Sequence, residues 1–353
     1  MTDILIDPAL VRAAGELVAR AERVVVVTHM SPDGDAMGSS LAMRRYLEQK
    51  GKQVDVIVPN RFPAFLSWMP GADRDLVYDT AQNEADRLLD EADLIVCTDF
   101  NAPKRIGLLG EKILSLPCKK MVIDHHLFPE PFADAVISFP QTASASELVF
   151  RLLCRLEQGT GWKPDRDLAT CIYTGMMTDT GNFSFNSNNA EMYMIVAELV
   201  AAGVDKDAVY NEIFNAWTAD RMRLMGYCLC HKMQIFPEHH AALIALSRPE
   251  LYRFNFQHGD AEGLVNLPLQ IKDIYYSCFM RADKVYPAEL HLAGGSKTKI
   301  KISMRSQGDR PVNTFCADVF SGGGHKNASG GEFYGPLTHA VELFMQNYPR
   351  YFS

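Results

Sequence analysis

The hydrophobic pattern of residues 1–200 alternates between short β-branched runs and longer helical repeats. The runs are apolar almost throughout, and they predict strands at 23–29, 53–59, 93–99, 120–126 and 134–140. Helical repeats separate the earlier strands and follow the last one, at 38–50, 81–91, 143–158, 167–181 and 188–203. This order predicts an α/β domain with a parallel sheet and helices on both of its faces.

The pattern changes in the C-terminal part of the chain. Residues 204–236 are helical in character, and strands are predicted beyond them in "AALIALS", "YYSCFMR" and "TKIKISMRS". Further helices are expected at 261–271 and 337–348. We therefore predict an N-terminal catalytic domain at 1–205, a helical connector at 206–235 and a smaller mixed α/β domain at 236–353.

Composition narrows the class of protein. A chain of 353 residues with 47% hydrophobic residues exceeds one ordinary core and suits two domains. It has no apolar run near the roughly 18 residues of a membrane-spanning helix, so we expect no membrane partner. The N-terminal 20 residues resemble an ordinary helix and not a secretory signal. Eight scattered cysteines, mostly in apolar surroundings, indicate reduced thiols and a cytoplasmic location.

The net charge of the chain indicates which kind of nucleic acid to expect as a substrate. The formal net charge is -8, whereas proteins that bind long duplexes usually carry a basic surface. We therefore expect no long duplex nucleic acid, and expect that any nucleic-acid substrate is short or is held locally by metal and a few cations.

Three predicted strands end in residue types that bind metals. The first leads into "HMSPDGDAMGS", the third ends in "CTD" and the fourth ends in "VIDHH"; a later helical repeat ends in "TDTG". Because the carboxyl ends of parallel strands meet at one edge of a sheet, these motifs are expected to converge there. The candidate residues are His29, Asp33, Asp35, Asp99, Asp124, His125, His126 and Asp179.

Each motif alone also fits a turn, a helix cap or a polar loop. Several carboxylates packed together without a cation have raised pKa values and cost stability, so their conjunction favours a metal site. Mixed aspartate and histidine ligands suit Mn²⁺, with Mg²⁺, Co²⁺ or Zn²⁺ as alternatives. Two ions about 3.5–4 Å apart would use all these ligands, activate a water and clamp a phosphoryl group. The residues therefore predict a phosphoester hydrolase.

A glycine-rich segment, "SGGGHKNASGG" at 321–331, is the second chemical signal. Glycines allow backbone N–H groups to approach an anion closely, and His325 adds a side-chain donor. Upstream, Arg305 lies near the end of a predicted strand, and its guanidinium suits a phosphate. The alternative is a plain surface loop with an incidental arginine.

Taken together, these motifs resemble the DHH/DHHA1 phosphoesterase superfamily over nearly the whole chain. The "HMSPDGDAMGS", "CTD", "VIDHH" and "TDTG" motifs resemble the DHH domain, and "GGGHKNASG" resembles the DHHA1 domain. Chain length and "AEGLVNLP" at 261–268 are similar to the nanoRNA hydrolase branch, the oligoribonucleases and pAp phosphatases. The resemblance implies a parallel-sheet DHH domain, a DHHA1 domain and a homodimer.

The resemblance also implies roles for individual residues. One divalent ion would be held by His29, Asp33 and Asp99. The other would be held by Asp35, Asp99, His125 and Asp179, with Asp99 as the bridge. His126 would act beside the scissile phosphate, and Asp124 would orient the neighbouring histidines. Substrate would be bound by Arg305, Gly323, Gly324 and His325.

The implied activity is Mn²⁺-dependent hydrolysis of short oligoribonucleotides and dinucleotides to nucleoside monophosphates, and of pAp to AMP. Four alternatives stay open at this point. They are a cyclic-dinucleotide phosphodiesterase, an exopolyphosphatase-like enzyme, a processive single-strand exonuclease and a nucleotide-binding module without catalysis.

Overall fold

The chain forms two compact units, 1–216 and 217–353. The structure is a computed structural model that describes residues 6–257, 259–286 and 297–352. No helix in these ranges is long and apolar enough to cross a membrane. The functional division into a catalytic domain, a connector and a substrate-binding domain stays a prediction.

The first unit is built on a six-stranded sheet in which every neighbouring pair of strands is parallel. Its strands are β1 Arg23–Val27, β2 Gln53–Val58, β3 Leu76–Val77, β4 Leu94–Thr98, β5 Lys119–Asp124 and β6 Ala135–Ser138. Their order is β3-β2-β1-β4-β5-β6, so the chain reverses its direction of winding between β1 and β4. The predicted parallel sheet is confirmed, although the sequence pattern missed the short β3.

Helices cover both faces of this sheet. They are α1 Pro8–Arg20, α2 Gly34–Gln49, α3 Gln82–Asp90, α4 Leu108–Ser115, α5 Ala145–Leu156, α6 Arg166–Asp179, α7 Ala190–Ala201 and α8 Lys206–Phe214. Successive side chains of a strand point to opposite faces. Val24 and Val26 accordingly join the core cluster that contains α1, α2, α5 and α6, whereas Val25 and Val27 join the cluster that contains α3 and α4. The apolar strands are buried on both sides for this reason.

The second unit has a mixed sheet in the order β11-β12-β10-β9-β8-β7. Its strands are β7 Met233–Phe236, β8 Ala241–Leu246, β9 Tyr276–Tyr286, β10 Lys297–Ser306, β11 Gly323–His325 and β12 Ala328–Tyr334. Strands β8 and β9 are parallel, and the other neighbours are antiparallel. The helices are α9 Ala219–Tyr227, α10 Arg248–Arg253, α11 Asn313–Phe320 and α12 Leu337–Tyr351. The predicted smaller mixed α/β domain is confirmed.

The structure corrects three local predictions. Residues 233–236 were predicted as helix but form β7, because pairing with β8 outweighs local propensity. The predicted helix at 261–271 is a 3₁₀-helix at Leu264–Gln270, and Pro268 inside it lacks a backbone donor. The N-terminal helix begins at Pro8, and residues 1–5 lie outside the described residues.

A buried ion pair holds α2 against the segment before β3. Arg44 of α2 donates from Nη1 to Asp75 Oδ1 at 2.8 Å and from Nη2 to the carbonyl of Gly71. The two charged side chains are 3% and 0% exposed. A charge left alone in such a place is costly, so each partner depends on the other.

We expect Arg44→Met to lower the free energy of unfolding by about 3–5 kcal/mol, because it leaves the buried Asp75 without its cation. Urea unfolding followed by circular dichroism measures this change. The matched control is Arg74→Met, which breaks a largely exposed pair with Glu48 at 2.7 Å and should cost about 0–1 kcal/mol. Equal losses in the two variants would contradict the role of the buried pair.

Candidate metal centre

The predicted metal ligands of the first unit converge at the carboxyl ends of β1, β4 and β5. His29 follows β1, Asp99 follows β4 and His125 follows β5. Strands β1 and β4 are neighbours at the point where the strand order reverses. A crevice forms outside the strand ends at such a point in doubly wound sheets, which places ligands there.

Asp99 lies at the centre of this cluster. Its backbone is left-handed, with φ 63°, a conformation that aspartate tolerates better than most residues. Its N–H donates to the carbonyl of Ile123 at 3.0 Å, which ties the end of β4 to β5. The residue is 2% exposed, and within the described residues its buried Oδ1 accepts no hydrogen bond. A buried carboxylate oxygen in this state is suited to a cation.

The first ligand group consists of His29, Asp33 and Asp99, whose donor atoms all lie within 4.8 Å of one another. His29 Nε2 is 3.3 Å from Asp99 Oδ2 and 3.8 Å from Asp33 Oδ1. His29 Nδ1 is 3.0 Å from the carbonyl of Met30, and a proton on Nδ1 would leave Nε2 as the ligand atom.

Asp33 has a second role as the N-cap of α2. Its Oδ1 accepts hydrogen bonds from the N–H groups of Asp35 and Ala36, both at 3.0 Å. The same side chain can therefore cap the helix and belong to a ligand group, so the two interpretations of "PDGD", a cap and a metal ligand, do not exclude each other. Capping also explains why α2 begins at Gly34, four residues before the predicted start.

The second ligand group contains Asp35, Asp99 and His125, again with donor atoms within 4.8 Å. His125 Nε2 is 3.5 Å from Asp99 Oδ1, 3.8 Å from Asp35 Oδ2 and 3.6 Å from Asp179 Oδ2. His125 Nδ1 is 3.3 Å from the carbonyl of Thr142. Asp99 thus belongs to both groups, the arrangement that the sequence comparison implied.

Asp35 is held by the N-terminus of α5, which sequence reasoning missed. Its Oδ2 accepts from the N–H of Ala145 at 2.6 Å, and its Oδ1 accepts from the N–H of Ser146 at 2.9 Å. The first N–H groups of a helix have no partner within the helix and favour an anion. A capping signal was present at Ser144, whose hydroxyl accepts from the N–H of Glu147, but sequence alone does not connect it to Asp35.

His126 is oriented by Asp124. Asp124 Oδ1 is 2.7 Å from His126 Nδ1, and Oδ2 accepts from the backbone N–H of His126 at 3.0 Å. Burial lowers the pKa of the His126 ring, although Asp124 opposes that shift. A neutral ring with its proton on Nδ1 is the tautomer that this contact favours.

The electrostatics of the cluster also indicate a cation site. Burial, together with the charges of Asp99 and Asp179, raises the pKa of the Asp35 carboxyl well above its usual range. Burial would also raise the pKa of Asp99, but the adjacent His125 and His29 rings hold it well below its usual range. In return, contact with Asp99 raises the pKa of His29 to about 9 against the effect of burial. The carboxylates thus compete for the positive charge that two rings supply, and this donor set fits divalent ions.

The predicted substrate residues lie in the second unit. Arg305 is on β10 and pairs in register with Ala328 of β12. Gly323, Gly324 and His325 make up β11, so this part of the glycine-rich segment is a strand. Their role as substrate ligands stays a prediction.

Gly322, which precedes β11, and the two glycines of β11 differ in why the fold needs a glycine there. A Cβ on Gly322 would lie 1.9 Å from the carbonyl oxygen of Gly330, and one on Gly324 would lie 2.6 Å from that of Ala328. Gly324 also has φ 138°. A Cβ on Gly323 would meet nothing within 4 Å. Packing of β11 on β12 therefore requires Gly322 and Gly324, but it does not require Gly323.

Comparison with known proteins places the site in a family context. Residues 23–176 match the model of the DHH family, N-terminal domain. A relative from Thermus thermophilus, named bifunctional oligoribonuclease and PAP phosphatase NrnA, is 27% identical over 326 residues. The match covers 92% of this chain and 88% of that protein.

Solved structures show the same fold. A Bacteroides fragilis protein, described as exopolyphosphatase-related, is 46% identical with a TM-score of 0.89, and the match covers 99% of this chain and 98% of that one. RecJ from Thermus thermophilus in complex with Mn²⁺ is 14% identical with a TM-score of 0.57, over 98% of this chain and 55% of that one. The similarity to RecJ shows a shared fold.

The raised pKa of His29 leads to a prediction about pH. A folded-state pKa of about 9 exceeds the unfolded value of about 6.5, so the protonated ring stabilises the fold below pH 6.5, and this stabilisation is lost as pH rises through 9. We expect the Tm of chelator-treated protein to fall over this interval. The rise in Tm on adding Mn²⁺ should grow over the same interval, because the ion must displace the ring proton.

Differential scanning calorimetry at constant ionic strength measures both trends. His29→Gln should reduce both trends without removing them, because nearby carboxylates also raise the pKa of His125 against the effect of burial. His239→Gln, a change in the second unit, should leave them as in the wild type. A Tm of the chelator-treated protein that rises from pH 6.5 to 9 would contradict the assignment.

Proposed function

We propose that this chain, whose residues 23–176 match the DHH family model, is a metal-dependent phosphoesterase that hydrolyses short oligoribonucleotides and dinucleotides to nucleoside monophosphates, and pAp to AMP. The observation that carries this proposal is the pair of ligand groups that share Asp99 at the reversal of the sheet. The similarity to the Thermus NrnA protein along most of both chains supports the choice of substrate.

The proposed ligands follow the two groups. His29, Asp33 and Asp99 hold one ion. Asp35, Asp99, His125 and Asp179 hold the other. We assign Mn²⁺ to both positions, since mixed imidazole and carboxylate donors suit it, and the Mn²⁺ complex of the RecJ fold relative is consistent with this choice. When bound, such ions supply Lewis-acid polarisation of a phosphoryl oxygen and lower the pKa of a coordinated water.

The chain's own residues supply orientation and proton transfer. Asp124 holds the Nδ1 proton of His126, so we assign proton transfer to the Nε2 atom of this ring. Burial lowers the pKa of His126, so the ring is neutral near pH 7. Its Nε2 first takes the proton that the attacking water releases and then donates it to the leaving oxygen, while Asp124 stabilises the imidazolium that forms in between. The two backbone donors of α5 hold Asp35 in one orientation, which fixes a ligand without a mobile side chain.

Substrate binding is assigned to Arg305, Gly323, Gly324 and His325 of the second unit. Arg305 and Gly323 occupy strands β10 and β11, where a guanidinium and an exposed backbone N–H suit phosphate oxygens. The rigid sheet offers these groups without the entropy cost of ordering a loop.

A second candidate activity is hydrolysis of polyphosphate. It is favoured by the 46% identity to the Bacteroides protein that is described as exopolyphosphatase-related. Both candidate activities would use the same metal cluster. They differ in the leaving group that is attached to the phosphate. Substrate preference therefore decides between them.

The deciding experiment is a product assay with Mn²⁺ on pApA, a labelled RNA five-mer, an RNA 24-mer, pAp, cyclic di-AMP and polyphosphate in parallel. We expect rapid AMP release from pApA and the five-mer, slower release from pAp and little attack on the 24-mer. Phosphate release from polyphosphate without turnover of pApA would replace the proposal with the second candidate.

Loss of the shared carboxylate should abolish the activity. We expect Asp99→Asn to lower kcat for pApA by roughly 10³-fold or more, since it removes a ligand from both groups at once. Asp79→Asn, a change at an exposed carboxylate of the same unit, should leave kcat unchanged. Full activity of Asp99→Asn in the presence of Mn²⁺ would refute the mechanism.

Gly323 separates substrate binding from folding. We expect Gly323→Ala to leave Tm unchanged, because the new methyl group meets nothing within 4 Å, and to raise KM for pApA several-fold, because a methyl group would keep a phosphate from the backbone at the proposed substrate site. Gly322→Ala is the control and should lower Tm, since its Cβ would collide with Gly330. An unchanged KM in Gly323→Ala would remove this residue from the proposed substrate site.

A further inference from the structure

Arg105 lies beside the metal cluster and has no part in the mechanism described so far. It belongs to a 3₁₀-helix, Pro103–Ile106, in the segment that follows Asp99. Its carbonyl accepts a hydrogen bond from the N–H of Met30 at 3.0 Å, and its own N–H donates to the carbonyl of Ala102 at 3.0 Å. The backbone of Arg105 is thus fixed against the residue that follows His29.

The guanidinium of Arg105 has no polar partner in the part of the chain that the structure describes. The residue is half-buried, yet within the described residues its side chain makes no hydrogen bond and no ion pair. Buried arginines of the same unit behave differently, because Arg44 pairs with Asp75 and Arg151 pairs with Glu147 and Glu191. A half-buried guanidinium with five donors and no acceptor is unusual unless a ligand supplies the acceptor.

Arg105 is within electrostatic range of two parts of the cluster. Its positive charge lowers the pKa of His29, a ring of the first ligand group. It also lowers the pKa of His126, the ring held by Asp124. The hydrogen bond from the Met30 N–H to the Arg105 carbonyl fixes Arg105 next to His29, whose ring lies 3.3 Å from Asp99, so the chain anchors this arginine beside the first ligand group.

We propose that Arg105 binds a non-bridging oxygen of the phosphate that is cleaved at this centre. The inference rests on the proposed function. A planar guanidinium matches two oxygens of a phosphate, and fixed positive charge stabilises the extra negative charge of the transition state. Because the Arg105 side chain makes no hydrogen bond or ion pair within the described residues, binding a phosphate would break no polar interaction of the fold.

The experiment compares Arg105→Gln and Arg105→Lys with the wild type on two substrates. One is pApA, and the other is bis(para-nitrophenyl) phosphate, which has a single phosphate. We expect Arg105→Gln to lower kcat/KM by roughly 10²-fold on both, with Tm and Mn²⁺ affinity unchanged. Arg105→Lys should show a smaller loss, since lysine keeps the positive charge but lacks the paired N–H donors of the guanidinium. The matched control, Lys104→Gln, alters a neighbouring cation whose side chain is 82% exposed and should behave as the wild type.

Three results would overturn the inference. A loss on pApA without a loss on the single-phosphate ester would place Arg105 at another phosphate. A fall in Tm or in Mn²⁺ affinity equal to the loss of activity would make its role structural. Equal activity of Arg105→Gln and the wild type would remove it from the site.

Calorimetric titration of inorganic phosphate into the Mn²⁺-loaded protein tests Arg105 independently of turnover. If the wild type cleaves neither ester, the proposed function is wrong, and the titration alone tests whether Arg105 binds phosphate. Weaker phosphate binding by Arg105→Gln than by the wild type and Lys104→Gln supports the inference. Equal binding by all three proteins overturns it.

Discussion

The structure of the first unit depends on how it accommodates negative charge at the reversal of its sheet. Asp99 is 2% exposed, and Asp35 is 1% exposed. Two buried carboxylates this close repel each other, and burial penalises each charge further. The fold offsets this cost locally with His29, His125 and the first N–H groups of α5. What remains is a donor set whose charge a divalent cation would balance.

The same constraint explains the surrounding architecture. A parallel sheet brings distant segments of the chain to one edge, and β1, β4 and β5 each end there. The helices then act as supports: Asp33 caps α2, and α5 holds Asp35. Since α2 contains Asp35 and is capped by Asp33, the Arg44–Asp75 pair that holds this helix contributes to the geometry of the site as well as to stability. The same helix, α2, therefore contributes to both stability and function.

Residue types that look functional in a sequence serve both packing and chemistry in this chain. In the glycine-rich segment, close contact with the β12 backbone accounts for Gly322 and Gly324, whereas packing does not account for Gly323. Asp33 satisfies the backbone of α2 with one oxygen while belonging to a ligand group. The residues of one motif are thus present for different physical reasons, and the geometry of the structure distinguishes those reasons.

The sequence by itself determined the parallel sheet and indicated the candidate ligands, because apolar strands followed by aspartate and histidine leave few other arrangements. It did not reveal the support of Asp35 by Ala145 and Ser146 or the position of Arg105, because both depend on contacts between segments far apart in the chain. It also misjudged 233–236, where pairing with β8 decided the conformation. Local patterns specify which side chains are available, whereas only tertiary packing decides which of them have their charges and hydrogen bonds satisfied.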